Sequence, residues 1–231
     1  MDVLTVEHVT KKIKGKTILN DVTFNLQKGS IVGLVGGNGA GKTSLMKVIL
    51  GYSSYQSGNF KVKNDKDRQS NMGALIESPG VYPYMSGYDN LKLLNETKEK
   101  SSIDEIVSKL KMNDYSNNKA KTYPLGMKQK LGIAIAFLNN PELVILDEPM
   151  NGLDPKAVRD VRDFILEKAK AGTTFLVSSH ILSELVKITD SILIIHNGKI
   201  VKETTREEIQ SKDENDLENV LLEFIDKEDN N

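Results

Sequence analysis

One segment, Gly36-Gly37-Asn38-Gly39-Ala40-Gly41-Lys42-Thr43, constrains this chain more than any other. It has the form G-x-x-x-x-G-K-S/T. It follows the continuous apolar run Ile31–Val35 and leads into residues 44–50, whose pattern is helical and stops at Gly51. A buried strand that turns through glycines into a helix points backbone N–H groups inward at phosphate oxygens, and the helix N-terminus adds partial positive charge. In such a loop Lys42 reaches the β and γ phosphates, the Thr43 hydroxyl ligates Mg²⁺, and the Ser44 hydroxyl lies close enough to touch the α phosphate. The plain alternative is a Gly-rich turn before a helix. The strand before and the helix after favour nucleotide binding.

The rest of the chain reads as strands alternating with helices. Residues 3–9 and 18–26 alternate apolar and polar, the period of half-buried strands, and residues 52–72 read as polar turns and an edge hairpin. Helical spacing predicts one helix from Tyr88 to about Met112 and another over residues 125–138, separated by a polar break. Leu143–Leu146 is a short buried strand. Asp154 and Pro155 form an N-cap and first-turn proline for a helix ended by Gly172. Thr174–Ser178 and residues 192–196 are further strands, with a helix over 181–188 between them. The expected fold class is α/β: a mainly parallel sheet, an N-terminal antiparallel β part, and a helical subdomain inserted at about residues 80–140. Residues 1–225 are expected to form a single domain, and 226–231 a frayed acidic end.

Composition removes several classes of function. There is no cysteine and there are three histidines, which excludes disulfide frameworks and thiolate metal sites and leaves little room for zinc. The absence of cysteine fits a reducing cytosol. Lys plus Arg is 31 against 32 for Asp plus Glu, so no global charge advertises nucleic acid as a partner. No apolar run approaches the roughly 18 residues of a membrane helix, and the first residues lack the basic head and apolar stretch of a leader. Charge is unevenly spread: residues 203–231 hold 11 acidic and 3 basic side chains. Within them Leu217, Val220, Leu221, Phe224 and Ile225 recur at helical spacing, so part of this extension is expected to pack on the body.

The strand Leu143–Leu146 ends in Asp147 and Glu148. A buried parallel strand delivers its C-terminal residues to the active edge of the sheet. Asp147 would hold Mg²⁺ through water, and Glu148 could polarise an attacking water. His180 follows the strand Thr174–Ser178, where an imidazole can donate to a transferred phosphoryl group. A lone histidine after a strand is more often structural.

Together these elements resemble the ATP-binding subunit of ABC transporters over about residues 2–225. The run Tyr123-Pro124-Leu125-Gly126-Met127-Lys128-Gln129 looks like the family signature, and Leu146-Asp147-Glu148-Pro149 with Asn151-Gly152-Leu153-Asp154 is similar to its second phosphate motif and D-loop. The resemblance implies a P-loop NTPase core. It also implies that two subunits, a homodimer here, clamp ATP and Mg²⁺ between the phosphate loop of one and residues 124–127 of the other. By it Glu148 is the catalytic base, His180 the switch histidine and Asp154 the D-loop carboxylate. Ile13 stands where an adenine-stacking aromatic is usual.

The segment Ile76-Glu77-Ser78-Pro79 occupies the Q-loop position and resembles ATPases that protect producers against bacitracin-like peptides and lantibiotics. Most relatives carry glutamine where this chain has Glu77, whose carboxylate can still meet Mg²⁺. Proline replaces the usual signature serine at Pro124, removing a hydroxyl and an N–H. The resemblance implies separate membrane-spanning permease subunits, a position on the cytoplasmic face of the membrane, and export of a peptide antibiotic. A general multidrug or lipid exporter stays open, as does a weakly hydrolysing nucleotide switch. Ribosome-acting relatives usually join two cassettes and DNA-repair relatives carry long coiled-coil inserts. Neither feature is present.

Overall fold

The computed structural model describes residues 1–63, 71–96, 99–179, 182–205 and 207–208. Three strands, β1 (Asp2–Ile13), β2 (Lys16–Gln27) and, later in the chain, β4 (Ser57–Val62), form an antiparallel sheet in the order β2-β1-β4. A second sheet contains β3 (Ile31–Val35), β5 (Met72–Leu75), β6 (Leu143–Leu146), β7 (Thr174–Ser178), β8 (Ser191–His196) and β9 (Lys199–Thr205). Its order is β5-β6-β7-β3-β8-β9, parallel except for β9, which pairs antiparallel with β8.

β3, β6 and β7 are buried at every position, as expected of inner strands covered on both faces. Alternation along β3 splits the core in two. Val32 and Leu34 face a cluster built with the antiparallel sheet and helix α1 (Lys42–Ile49), while Ile31 and Val35 face the remaining helices. Those helices are α2 (Gly87–Leu94), α3 (Lys100–Lys109), α4 (Leu125–Ala136), α5 (Pro155–Lys170) and α6 (Leu182–Val186). α2, α3 and α4 lie between β5 and β6 in the chain, within the stretch expected to be helical.

The structure refines the sequence reading in three places. Residues 88–112 form two helices, interrupted where Asn95 leaves helical geometry at φ −80°, ψ 104°. Among the described residues, β4 does not pair with β5 as a hairpin would: β4 closes on β1, whereas β5 enters the parallel sheet beside β6. β9 adds an edge strand within the start of the acidic extension. The acidic segment 209–231, with the frayed end expected for 226–231, lies outside the described residues.

Candidate active site

The crossovers fix which strand ends meet. Register pairs Leu34 with Ser178 across β3 and β7, and Leu146 with Val177 across β6 and β7. Asp147, one residue beyond β6, therefore comes level with Ser178, next to the loop that leaves β3.

That loop passes through residues 36–41 into α1. Gly36 is demanded by a close approach, since a Cβ there would sit 2.2 Å from the Ile195 carbonyl oxygen. The Ala40 N–H donates to the Gly37 carbonyl at 3.2 Å. A Cβ at Gly37 or Gly39 would meet nothing within 4 Å, so the chain does not crowd the loop at either position. Lys42 Nζ donates back to the carbonyls of Gly36 and Gly37 at 2.7 and 3.2 Å. α1 has no side-chain N-cap and no acid in its first turn, so the N–H groups at Thr43 and Ser44 retain their partial positive charge.

The carboxylate end is held by hydroxyls. Thr43 Oγ1 donates to Asp147 Oδ2 at 2.8 Å, and Ser178 Oγ donates to Asp147 Oδ1 at 2.6 Å. Asp147 is buried, and its N–H donates to the Leu75 carbonyl at 2.7 Å. Magnesium prefers hard oxygen ligands, keeps several waters, and binds through one or two carboxylates together with substrate phosphates. Thr43 and Asp147, already in contact, suit that donor set. No cluster of three or more acidic, histidine or cysteine side chains that could hold a metal occurs among the described residues. The phosphates would have to complete the shell.

Glu148 follows with a left-handed backbone, φ 51°. Its N–H donates to Ser178 Oγ at 3.0 Å and its carbonyl accepts from Gln129 Nε2 at 3.0 Å. Ser178 and Gln129 escaped the sequence reading. The only signals were a serine ending a mostly apolar strand and a glutamine among the mostly apolar residues of α4.

The other candidates lie elsewhere. Pro124 is the N-cap residue of α4 and makes no side-chain cap bond, and Leu125 is 60% exposed. Leu125 and Gly126 close against Gly152, and Met127 packs partly into the core. Asp154 caps α5: its Oδ1 accepts from the N–H groups of Lys156 and Ala157, both at 2.9 Å. These bonds, the Ala157 one foremost, hold its carboxyl below the ordinary value. Ile13 is half-exposed at the end of β1, and the neighbouring β2 borders the phosphate loop, with Ile18 O 3.1 Å from a Cβ placed at Gly41. Glu77 Oε1 pairs with Lys47 Nζ at 2.7 Å. His180 lies outside the described residues.

A lysine-bearing glycine loop opposite a strand-end carboxylate defines a nucleotide-binding ATPase of the P-loop class. Residues 19–151 match the ABC transporter family, and the chain belongs to that family as one of its ATP-binding ATPases. It is 36% identical to the bacitracin transport ATP-binding protein BcrA of Enterococcus faecalis, over 91% of this chain and 71% of that protein. It is 38% identical to the lantibiotic transport ATP-binding protein SrtF of Streptococcus pyogenes, over 87% of this chain and 90% of that one. A solved structure of an ATP-binding subunit of an ABC transporter superposes with a TM-score of 0.82 at 27% identity, covering 90% of this chain and 92% of the other. No described helix is long and apolar enough to cross a membrane.

Proposed function

We propose that this chain hydrolyses ATP as a dimer and thereby drives export of a peptide antibiotic, of the bacitracin or lantibiotic kind, through separate membrane-spanning permease subunits. In this reading residues 1–225 act as one ATPase domain at the cytoplasmic face of the membrane. The observation that carries the chemistry is Asp147 joined to both Thr43 and Ser178 at the mouth of the phosphate loop. The cargo rests on the likeness to BcrA and SrtF and on the Ile76-Glu77-Ser78-Pro79 segment.

The loop N–H groups and Lys42 bind the triphosphate, with the Lys42 ammonium exchanging its carbonyl partners for phosphate oxygens. Ser44 adds a hydroxyl near the α phosphate, and Ile13 covers the base. Thr43 and Asp147 hold Mg²⁺, which when bound neutralises negative charge on the phosphate oxygens. Glu148 orients the attacking water and takes its proton on the side-chain carboxylate. Its backbone is held from both sides by Ser178 and Gln129, which fixes the point from which the side chain departs. His180 donates to the transferred group. Residues 124–127 and Asp154 serve the partner subunit's nucleotide.

A second reading, a nucleotide switch that dimerises but scarcely hydrolyses, is favoured by one observation: α4 begins at a proline that offers no hydroxyl and no N–H. The test is to produce the chain with its cognate permease in a sensitive cell. Wild type is expected to raise tolerance to the peptide antibiotic and Lys42→Ala to abolish the gain. Tolerance that is unchanged, or that survives Lys42→Ala, would sink the export reading. Tolerance that survives Glu148→Gln would favour the switch.

A further inference from the structure

Glu77 holds an unusual position. Its backbone lies in the left-handed region at φ 59°, which costs a non-glycine residue energy and persists only when the surroundings impose it. Two contacts flank it. Two residues on, Pro79 lies against α4 so tightly that a Cβ at Gly132 would come within 2.8 Å of Pro79 Cβ. On the other side, the Glu77 carboxylate pairs with Lys47 in the last turn of α1 at 2.7 Å. The loop thus spans from the helix that starts at the phosphates to the helix that starts at Pro124.

Lys47 follows Thr43 by four residues on α1, so the two side chains share a face one turn apart. Thr43 contacts Asp147. The ion pair is therefore anchored on α1 one turn beyond Thr43, on the same face. A carboxylate there has two competing partners: the ammonium that it now holds, and a divalent cation one turn away. Both cannot sit close to it without mutual repulsion, because a cation on one carboxylate oxygen faces the ammonium on the other.

We propose that Lys47 is a positioning residue for Glu77. It ties the 76–80 loop to α1 through that carboxylate and yields it when a divalent cation binds with nucleotide. This rests on reading Thr43 and Asp147 as the cation end of the site. It explains a use for glutamate at this position, since an amide oxygen accepts from the ammonium but carries no opposite charge to form an ion pair with it. The carboxylate makes the loop's attachment answerable to the cation.

The test reads metal affinity and not turnover. Fluorescent N-methylanthraniloyl-ATP binding to the full chain is titrated with Mg²⁺, and the half-saturating Mg²⁺ concentration is recorded. Lys47→Met, which keeps helix propensity and the apolar stem, is expected to lower that concentration up to about fivefold, the scale of one partly exposed ion pair. Lys47→Arg should stay near wild type. In a Glu77→Ala background, Lys47→Met should have no effect. An unchanged midpoint in Lys47→Met would overturn the latch, as would a shift that persists undiminished with Glu77→Ala, because the lysine would then act only as a distant charge. Thermal melts show whether each variant is folded. Wild type that binds no nucleotide with Mg²⁺ would bring down the ATPase reading and the latch together, whereas wild-type binding without the Lys47→Met shift removes the latch alone.

Discussion

At the C-terminal ends of β3, β6 and β7, polar groups are held by one another: Thr43 and Ser178 on Asp147, Ser178 and Gln129 on the Glu148 backbone, Lys42 on its own loop. At the N-terminus of α4 the reverse holds. Pro124 supplies no cap, Leu125 is largely exposed, and Gly126 lies against Gly152 and Leu153. The first region is preorganised within one chain, whereas the second is a presented surface. The difference fits the proposed roles: fixed dipoles for chemistry in the first region, and in the second a helix N-terminus without a side-chain cap, suited to an anion held by a partner subunit.

Removing the charge at the centre of the organised region should have the largest effect. Lys42→Ala is expected to cut ATP turnover by about a thousandfold, the scale of losing a principal donor to developing phosphoryl charge. Turnover within a few-fold of wild type would mean that the loop is not the site. Glu148→Gln should slow hydrolysis by about a hundredfold or more while leaving ATP binding intact. Because binding outlives chemistry, this variant should accumulate as an ATP-bound dimer in size-exclusion chromatography. A variant that stays monomeric with ATP and Mg²⁺ would deny the presented surface its role, even if the organised region were correct.

The presented region is tested by restoring what it lacks. Pro124→Ser returns a hydroxyl and an N–H to the start of α4. One charge-assisted hydrogen bond contributes about 1.5–3 kcal/mol, so a bond formed mainly in the transition state should raise turnover about tenfold or more. A steady-state assay showing no change would mean that Gly126 and the helix end suffice.

The same contrast explains what could be read in advance. Ile31–Val35, Leu143–Leu146 and Thr174–Ser178 match the observed strands at both ends, because buried inner strands are continuous apolar runs bounded by polar or glycine residues. The motif residues of the organised region were legible because their spacing is local. Its clamps were not: Ser178 lies 31 residues from Asp147 and Gln129 lies 19 from Glu148, so only strand order and register bring them together. β5 was missed because a four-residue strand containing Gly73 has too few positions to show a period, and β9 because its residues are half-exposed or exposed throughout. The break after α2 depends on Asn95, whose amide donates to the Glu99 carbonyl at 3.0 Å and replaces the helical continuation that the apolar spacing suggested. Lys130, buried on α4 and bonded to Asp160 at 2.9 Å, gave no sign in the sequence of being internal.

The smallest expected effect compares the two helix starts that meet at Gly126 and Gly152. α4 has no side-chain cap, whereas α5 has a strong one, because the Asp154 carboxylate accepts from Ala157 and Lys156. Those bonds favour the charged form and depress its pKa, the Ala157 N–H contributing most. A group whose folded pKa is depressed adds stability fully above its unfolded value, and that stability is lost as pH falls through the folded value. Asp154→Ala should therefore lower the melting temperature slightly at pH 7, and the gap from wild type should shrink below about pH 4. Asp154→Asn, a good cap without a titrating charge, should recover much of the loss at pH 7 and show no such pH dependence. If Asp154→Ala melts with wild type at every pH, the cap bonds contribute nothing measurable, and α5 begins no more firmly than α4.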